Sequence, residues 1–208
     1  DNSVVITASD GTASATDTFT IVVANTNDAP TITSTAVTAA TEDTAYTYTV
    51  TAADVDSGDT ITLTGTTVPS WATFTAGTGV LTGTPLDANV GDNSVVITAS
   101  DGNGGSVTDT FTIVVANTND APTITSTAVT AATEDTEYTY TVTAADVDSG
   151  DTITLTGTTV PGWATFTAST GVLAGTPLNA NVGANSVVIT ASDGNGGSVT
   201  DTFTITVA

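Results

Sequence analysis

The sequence contains no lysine, arginine or histidine, and this absence limits the functions that it can perform. Against 22 acidic residues, the formal net charge at pH 7 is −22. Proteins bind nucleic acids largely by neutralising phosphates with lysine and arginine, so nucleic-acid binding is excluded. Docking on anionic membranes is disfavoured for the same reason. Because no side chain is positively charged, the carboxylates must be solvated, hydrogen-bonded or bound to metal ions.

Cysteine and long apolar runs are also absent. No disulfide can brace the fold, and no segment approaches the roughly 20 apolar residues of a membrane-spanning helix. No thiol or imidazole is present to bind zinc or copper, whereas oxygen ligands for hard cations are plentiful. No signal peptide is recognisable. The chain begins at Asp1 in the middle of a repeat, and we therefore expect it to be a piece of a longer protein.

An internal repeat organises the chain. The six residues Asn25–Pro30 recur unchanged as Asn117–Pro122, 92 positions later. This period predicts three segments: the C-terminal part of a preceding repeat with its linker (1–28), a complete repeat with its linker (29–120), and a second complete repeat (121–208). A unit of this size matches a small β-sandwich, which needs roughly 100 residues.

The alternation of apolar residues with threonine indicates β-strands. Tyr46, Tyr48 and Val50 alternate with threonine in this way, and so do Phe111 and Ile113. About seven short strands per repeat, separated by frequent turn signals, predict an all-β fold of tandem Greek-key sandwiches. Residues 1–24 are predicted to form a hairpin, because they match the last two strands of a complete repeat. One tryptophan at a fixed place in each repeat, Trp71 or Trp163, is predicted to pack in the core. Stacking on carbohydrate is the alternative.

Oxygen-bearing side chains cluster at fixed places in each repeat. The first repeat has Glu42, Asp54-Val55-Asp56 and Asp101, and the linkers add Asn-Thr-Asn-Asp. Hard cations such as Ca²⁺ take six to eight oxygen ligands. Two carboxylates about 4 Å apart repel by about 4 kcal/mol at an effective dielectric constant near 20, and a bound cation would remove this cost. The alternative is a metal-free acidic surface.

Four stretches of the sequence resemble the cadherin superfamily, specifically the dystroglycan-type cadherin-like repeats of bacterial surface proteins. They are VTAADVDSGD (50–59), WATFTAGTGVLTGTP (71–85), TASDGNGG (98–105) and ANTNDAP (116–122). The resemblance covers the whole chain. It implies an Ig-like sandwich fold and calcium at each junction between repeats, with ligands from both neighbours.

The resemblance also implies which residues bind calcium. At the central junction these are Glu42, Asn117, Asn119, Asp120, Asp146, Asp148 and Asp193. At the preceding junction they are Asn25, Asn27, Asp28, Asp54, Asp56 and Asp101. The family usually has aspartate where Asn25 and Asn117 stand, and its Leu-Asp-x-Glu stretch ends here in Asn89. Because both departures remove carboxylates, we expect one or two ions per junction.

These observations predict a non-enzymatic structural segment of a large secreted bacterial adhesin or stalk, stiffened by calcium and contacting neighbouring repeats of the same chain. An alternative is a self-assembling extracellular filament, in which residues 1–24 add strands to an identical chain. A carbohydrate-binding module is a minor alternative. Among enzymes, only a paired-carboxylate glycosidase suits these residue types, but every candidate carboxylate recurs in register with the repeats. No direct membrane insertion is expected.

Overall fold

The computed structural model describes residues 1–208 and contains twenty β-strands and two 3-10 helices. The N-terminal strands are β1 (Asn2–Ser9) and β2 (Ser14–Ile21). The first repeat contains β3 (Thr31–Ile32), β4 (Ala39–Thr41), β5 (Tyr46–Thr49), β6 (Ala52–Ala53), β7 (Thr62–Thr67), β8 (Ala72–Thr75), β9 (Val80–Gly83), the 3-10 turn Asp87–Asn89, β10 (Gly91–Ser100) and β11 (Ser106–Ala116). The second repeat contains β12 (Thr123–Ile124), β13 (Ala131–Ala132), β14 (Tyr138–Thr141), β15 (Ala144–Ala145), β16 (Thr154–Thr159), β17 (Ala164–Thr167), β18 (Val172–Gly175), the 3-10 turn Asn179–Asn181, β19 (Gly183–Ser192) and β20 (Ser198–Val207).

Each complete repeat is built from a four-stranded and a three-stranded sheet. In the first repeat the strand orders are β4-β11-β10-β7 and β5-β9-β8, and in the second they are β13-β20-β19-β16 and β14-β18-β17. A short ribbon, β3-β6 or β12-β15, completes the repeat. Strand β13 runs parallel to β20, whereas the other pairings described in the second repeat are antiparallel. The predicted all-β fold of tandem Ig-like sandwiches is confirmed.

The alternating residues of facing strands form one apolar core in each repeat. In the first repeat, Leu81 of β9, Ile97 of β10 and Ile113 of β11 are fully buried, and the second repeat has an equivalent cluster. Trp71 packs against the first core, edge-to-face with Tyr46 at a centroid distance of 5.6 Å. The prediction that the tryptophan is a packing residue is therefore confirmed.

The N-terminal hairpin β1-β2 forms a two-stranded sheet of its own. Its apolar residues are equivalent to buried residues of the complete repeats, yet they are exposed. Ile6 is 55% exposed, whereas Ile97 at the equivalent place is fully buried. Likewise, Ile21 is 49% exposed, whereas Ile113 is fully buried. The hairpin thus has the sequence of a core-forming pair of strands without the covering sheet.

Contacts between residues divide the chain into two compact units. The first unit is Asp1–Ala40, Thr44–Pro85 and Asp92–Val115, and the second is Thr41–Asp43, Leu86–Gly91 and Ala116–Ala208. Two short loops of the first repeat therefore belong to the second unit, and they carry Glu42 and Asp87. Neither of the two three-residue helices has the length or apolar character needed to span a membrane.

Candidate metal centres

Four carboxylates meet within the second compact unit. Glu42 follows strand β4, Asp87 opens a 3-10 turn, Asp120 lies in the linker and Asp148 follows strand β15. One carboxylate oxygen from each residue lies within 4.8 Å of the others. We call this group the four-carboxylate cluster. Residues that are up to 106 positions apart in the sequence thus converge on one point.

Glu42 is the least exposed member of this cluster. Only 1% of its surface is accessible. Its Oε1 accepts a hydrogen bond from the main-chain N–H of Thr118, whereas its Oε2 is buried and has no partner. The Oδ1 atom of Asp87 is likewise buried and has no hydrogen-bond partner. Because a buried, unpaired carboxylate oxygen is costly, these two oxygens are suited to binding a cation.

The linker is tied to the Asp-x-Asp loop. Asp148 accepts hydrogen bonds from Asn117 Nδ2 at 2.8 Å and from the N–H of Asp120 at 2.7 Å. The preceding linker repeats this arrangement, since Asp56 accepts from Asn25 Nδ2 at 2.7 Å and from the N–H of Asp28 at 2.6 Å. Each Asp-x-Asp loop therefore fixes the linker that precedes it, through the second of its two aspartates.

Charge is crowded around Asp120. Burial raises the pKa of its carboxyl group above the usual range, and the neighbouring carboxylate of Asp87 raises it further. Both causes disfavour the ionised form. A cation at this place would act in the opposite direction, because it would favour ionised ligands.

Two further groups each comprise three carboxylates. The first triad is Asp54, Asp59 and Asp101, and the second is Asp146, Asp151 and Asp193, with one oxygen per residue within 4.8 Å of the others. In both triads the Oδ2 atoms of the first two residues are buried and have no hydrogen-bond partner. Asp101 and Asp193 are 2% and 3% exposed. Each triad is contained within a single repeat.

A glycine-rich loop holds the third carboxylate of each triad. Asp193 Oδ1 accepts hydrogen bonds from the N–H groups of Asn195 at 2.7 Å and of Gly196 and Gly197 at 3.0 Å. A Cβ atom at Gly197 would overlap the Asp193 carboxylate, so the loop requires glycine there. Asn119 Nδ2 donates to Asp193 Oδ2 at 2.8 Å. This bond, followed by the loop N–H groups, holds the pKa of Asp193 below its usual range.

The first triad has the same electrostatic arrangement. Asn27 Nδ2 donates to Asp101 Oδ2 at 2.9 Å, and this bond is the main cause of the lowered pKa of Asp101. The linker asparagines thus present amide nitrogens, rather than oxygens, to the carboxylates. Without a cation, this is the favourable orientation, because an amide oxygen would repel a carboxylate.

The structure arranges the predicted ligands in two kinds of cluster. Glu42, Asp120 and Asp148 meet in one place, while Asp146 and Asp193 meet in another. Sequence reasoning missed three members, Asp87, Asp59 and Asp151. Asp59 and Asp151 follow the first aspartate of Asp-x-Asp by five positions, within the quoted stretch VTAADVDSGD, and this spacing was the available signal. That the predicted residues ligate calcium stays a prediction.

Two segments of the chain, 29–116 and 121–208, match a single family model, described as Putative Ig domain. The chain belongs to this family. Each Ig-like segment coincides with one of the sandwich repeats described above. No curated protein matches the chain.

Solved structures similar to these Ig-like repeats include protocadherins. PcdhgB3 EC1-4 is 19% identical with a TM-score of 0.63, and the match covers all of this chain and 57% of that one. Human Protocadherin-24 EC1-2 is 18% identical with a TM-score of 0.54, over 88% of this chain and 100% of that one. At these identities the similarity concerns the fold alone, and it confirms the cadherin-like architecture.

The Ig-like repeats are also similar to part of an endo-fucoidan hydrolase, MfFcnA4_H294Q from glycoside hydrolase family 107. The identity is 26%, the TM-score is 0.41, and the match covers all of this chain and 34% of that one. This chain therefore spans about a third of the hydrolase and somewhat more than half of PcdhgB3 EC1-4.

Proposed function

We propose that this chain is a non-enzymatic structural segment of a secreted bacterial surface adhesin or stalk, in which calcium stiffens the connection between consecutive repeats. The observation that carries the proposal is Glu42, a buried glutamate with an unpaired oxygen inside the four-carboxylate cluster. The tandem Ig-like, cadherin-like fold supports a structural role, because such repeats are typically non-enzymatic.

The donor set of the cluster fits calcium. All four candidate ligands are carboxylates, and the chain contains no histidine or cysteine. Hard divalent cations bind such oxygens, and Ca²⁺ accepts the irregular geometry that loops provide. When bound, the ion would supply the positive charge that this chain lacks. Main-chain carbonyls and water would complete the six to eight ligands.

Stiffening follows from where the ligands are attached. Glu42 and Asp87 are on two loops of the first repeat, Asp120 is on the linker and Asp148 is on the second repeat. The carboxylate oxygens of the cluster lie within 4.8 Å of one another, and without a cation two charges at that distance repel by about 3.5 kcal/mol at an effective dielectric constant near 20. The same residues would hold these segments together once their charge is neutralised. Calcium concentration would therefore control how freely the linker moves.

Calcium binding is tested by calorimetric melting of the whole chain in millimolar Ca²⁺ and in EDTA. A ligand that binds only the folded state at a thousandfold excess over its Kd stabilises it by about 4 kcal/mol. We expect Glu42→Gln to remove much of this gain, and Glu137→Gln, an exposed glutamate outside the clusters, to retain it. An equal calcium response in wild type and Glu42→Gln would contradict the assignment.

Stiffening is tested separately by distance measurements between spin labels. The chain has no cysteine, so Thr64→Cys and Thr156→Cys place one label on an equivalent exposed position of each repeat. We expect calcium to narrow the distance distribution and Glu42→Gln to leave it broad. A distribution of the same width with and without calcium would refute the stiffening role even if calcium binds.

A second candidate function is strand addition by residues 1–24 to an identical chain in a filament. The exposed Ile6 and Ile21, whose counterparts Ile97 and Ile113 are fully buried, favour it. Sedimentation of the chain at increasing concentration would test assembly. Ile6→Thr should weaken assembly, whereas Val5→Thr on the opposite face of β1 should not. A monomer at all concentrations would exclude this function.

A further inference from the structure

An asparagine in each glycine-rich loop reaches back to a triad carboxylate. Asn195 Nδ2 donates to Asp151 Oδ1 at 2.8 Å, and Asn103 Nδ2 donates to Asp59 Oδ1 at 2.8 Å. Each contact joins residues that are 44 positions apart. The two repeats therefore make the same long-range hydrogen bond between side chains.

This bond engages only one oxygen of the carboxylate. The other, Oδ2 of Asp151 and of Asp59, is buried and has no partner. The asparagine therefore fixes the orientation of the carboxylate and leaves one oxygen available to the triad. A freely rotating side chain would lose entropy on binding a cation, and a side chain that is already held in place would lose less.

The same loop also orders a second member of the triad. Its N–H groups donate to Asp193 Oδ1, while its asparagine side chain orients Asp151. One loop of five residues, 193–197, thus positions two of the three carboxylates. Only Asp146 is held by other means, since its Oδ1 accepts the N–H of Asp148 at 3.0 Å.

The N-terminal hairpin indicates that the turn itself does not require this asparagine. The corresponding hairpin turn is one residue shorter, since Asp10 and Ser14 stand where the first repeat has Asp101 and Ser106. Asp10 Oδ1 accepts the N–H groups of Thr12 at 2.9 Å and Ala13 at 2.7 Å. The aspartate-anchored turn therefore forms with threonine in place of asparagine. An aspartate-anchored turn can thus form without asparagine, and in the complete repeats the asparagine adds the bond to Asp59 or Asp151.

We propose that Asn103 and Asn195 are positioning residues that raise the cation affinity of the two triads by orienting Asp59 and Asp151. This inference rests on the proposed calcium function. Removing a residue that orients a metal ligand typically weakens metal binding 10- to 100-fold. Asn195→Ala should therefore weaken calcium binding by the second triad to this extent and leave the first triad unchanged, and Asn103→Ala should have the converse effect.

A calcium titration of the whole chain, followed by NMR, tests the proposal site by site. The amide resonances of Gly105 and Gly197, which donate to Asp101 and Asp193, report on the two triads separately. Asp151→Asn supplies the background for a double-mutant cycle. If Asn195 acts through Asp151, Asn195→Ala should weaken binding in the wild-type chain but have no further effect in Asp151→Asn.

Three results would overturn the proposal. The first is that Asn195→Ala leaves the calcium affinity of the second triad unchanged. The second is that Asn195→Ala weakens calcium binding by the same factor in the Asp151→Asn background as in the wild type, which would mean that Asn195 does not act through Asp151. If neither glycine resonance of the wild type responds to calcium, the triads bind no calcium and the proposal fails, whereas the proposed function at the four-carboxylate cluster is judged by the Glu42→Gln melt. This third result is distinguished from the first two because it is measured on the wild-type chain alone.

Discussion

Replacing Asp87 with asparagine should stabilise the metal-free protein, and calcium should reduce this gain. Asp87 faces three other carboxylates, and one oxygen from each member lies within 4.8 Å of the others. At that distance a pair of charges repels by about 3.5 kcal/mol at an effective dielectric constant of 20, and by about 0.9 kcal/mol at that of water. Removing one charge abolishes three pairs, a relief of about 3 kcal/mol even at the weaker limit.

In EDTA, Asp87→Asn should therefore unfold at a higher temperature than the wild type. A gain of 1 kcal/mol raises the melting temperature of a domain of this size by about 4–8 °C. In millimolar calcium this advantage should shrink, because a lost ligand that weakens binding tenfold reduces the stabilisation by about 1.4 kcal/mol. The second repeat already has asparagine at the equivalent position, Asn179, so the side chain is compatible with the 3-10 turn.

Calorimetric melts at matched ionic strength measure both effects. Asp92→Ala is the control, because it removes one charge at an exposed position outside the clusters, where the second repeat has Ala184. Its effect should be the same with and without calcium. A lower melting temperature of Asp87→Asn in EDTA would show that Asp87 stabilises the metal-free fold, and the repulsion argument would then be wrong.

Three further predictions concern the fold. Burial raises the pKa of Tyr46 and Tyr138 to about 12, so their contribution to stability is fully present below pH 10 and is lost as the pH rises through 12. Absorbance near 295 nm, compared between the wild type and Tyr46→Phe, should show Tyr46 ionising near pH 12, and a loss of the absorbance change near pH 10 would contradict this. Gly197→Ala should destabilise the second repeat and displace Asp193, because the added methyl group overlaps that carboxylate; an unchanged Asp193 environment by NMR would refute the overlap. Leu81→Ala, at a fully buried position, should cost about 2–5 kcal/mol in chemical denaturation, and a cost below 1 kcal/mol would mean that the core collapses around the gap.

The fold was predictable because most strands alternate apolar and polar residues and because the sequence repeats. Alternate apolar residues such as Ile113 and Val115 face the core, whereas Val114 between them is exposed, and the tryptophan at its fixed place packs against the same core. The division into compact units was not predictable in the same way. It assigns Glu42 and Asp87 to the second unit, since loop contacts between residues distant in sequence leave no periodic pattern.

The candidate sites were predictable in part. The Asp-x-Asp pair indicated acidic clustering, but its two aspartates separate, with Asp148 in the four-carboxylate cluster and Asp146 in a triad. On an extended strand, residues two positions apart point to the same side. Asp146 and Asp148 lie in a loop, where this rule does not apply, so their separation could not be predicted. The sequence gives no signal for Asp87, because its position at the start of a 3-10 turn, which brings it to Glu42 and Asp120, depends on the fold.

The acidic clusters occur in a chain whose side chains include no cation, and this determines its response to ionic strength. In most proteins added salt weakens both attractive and repulsive interactions between charges, so its net effect on stability varies from protein to protein. Here the side-chain charges only repel, and the Debye length shrinks to about 8 Å at 0.15 M salt. Even a monovalent salt should therefore raise the stability of the metal-free protein steadily as its concentration increases.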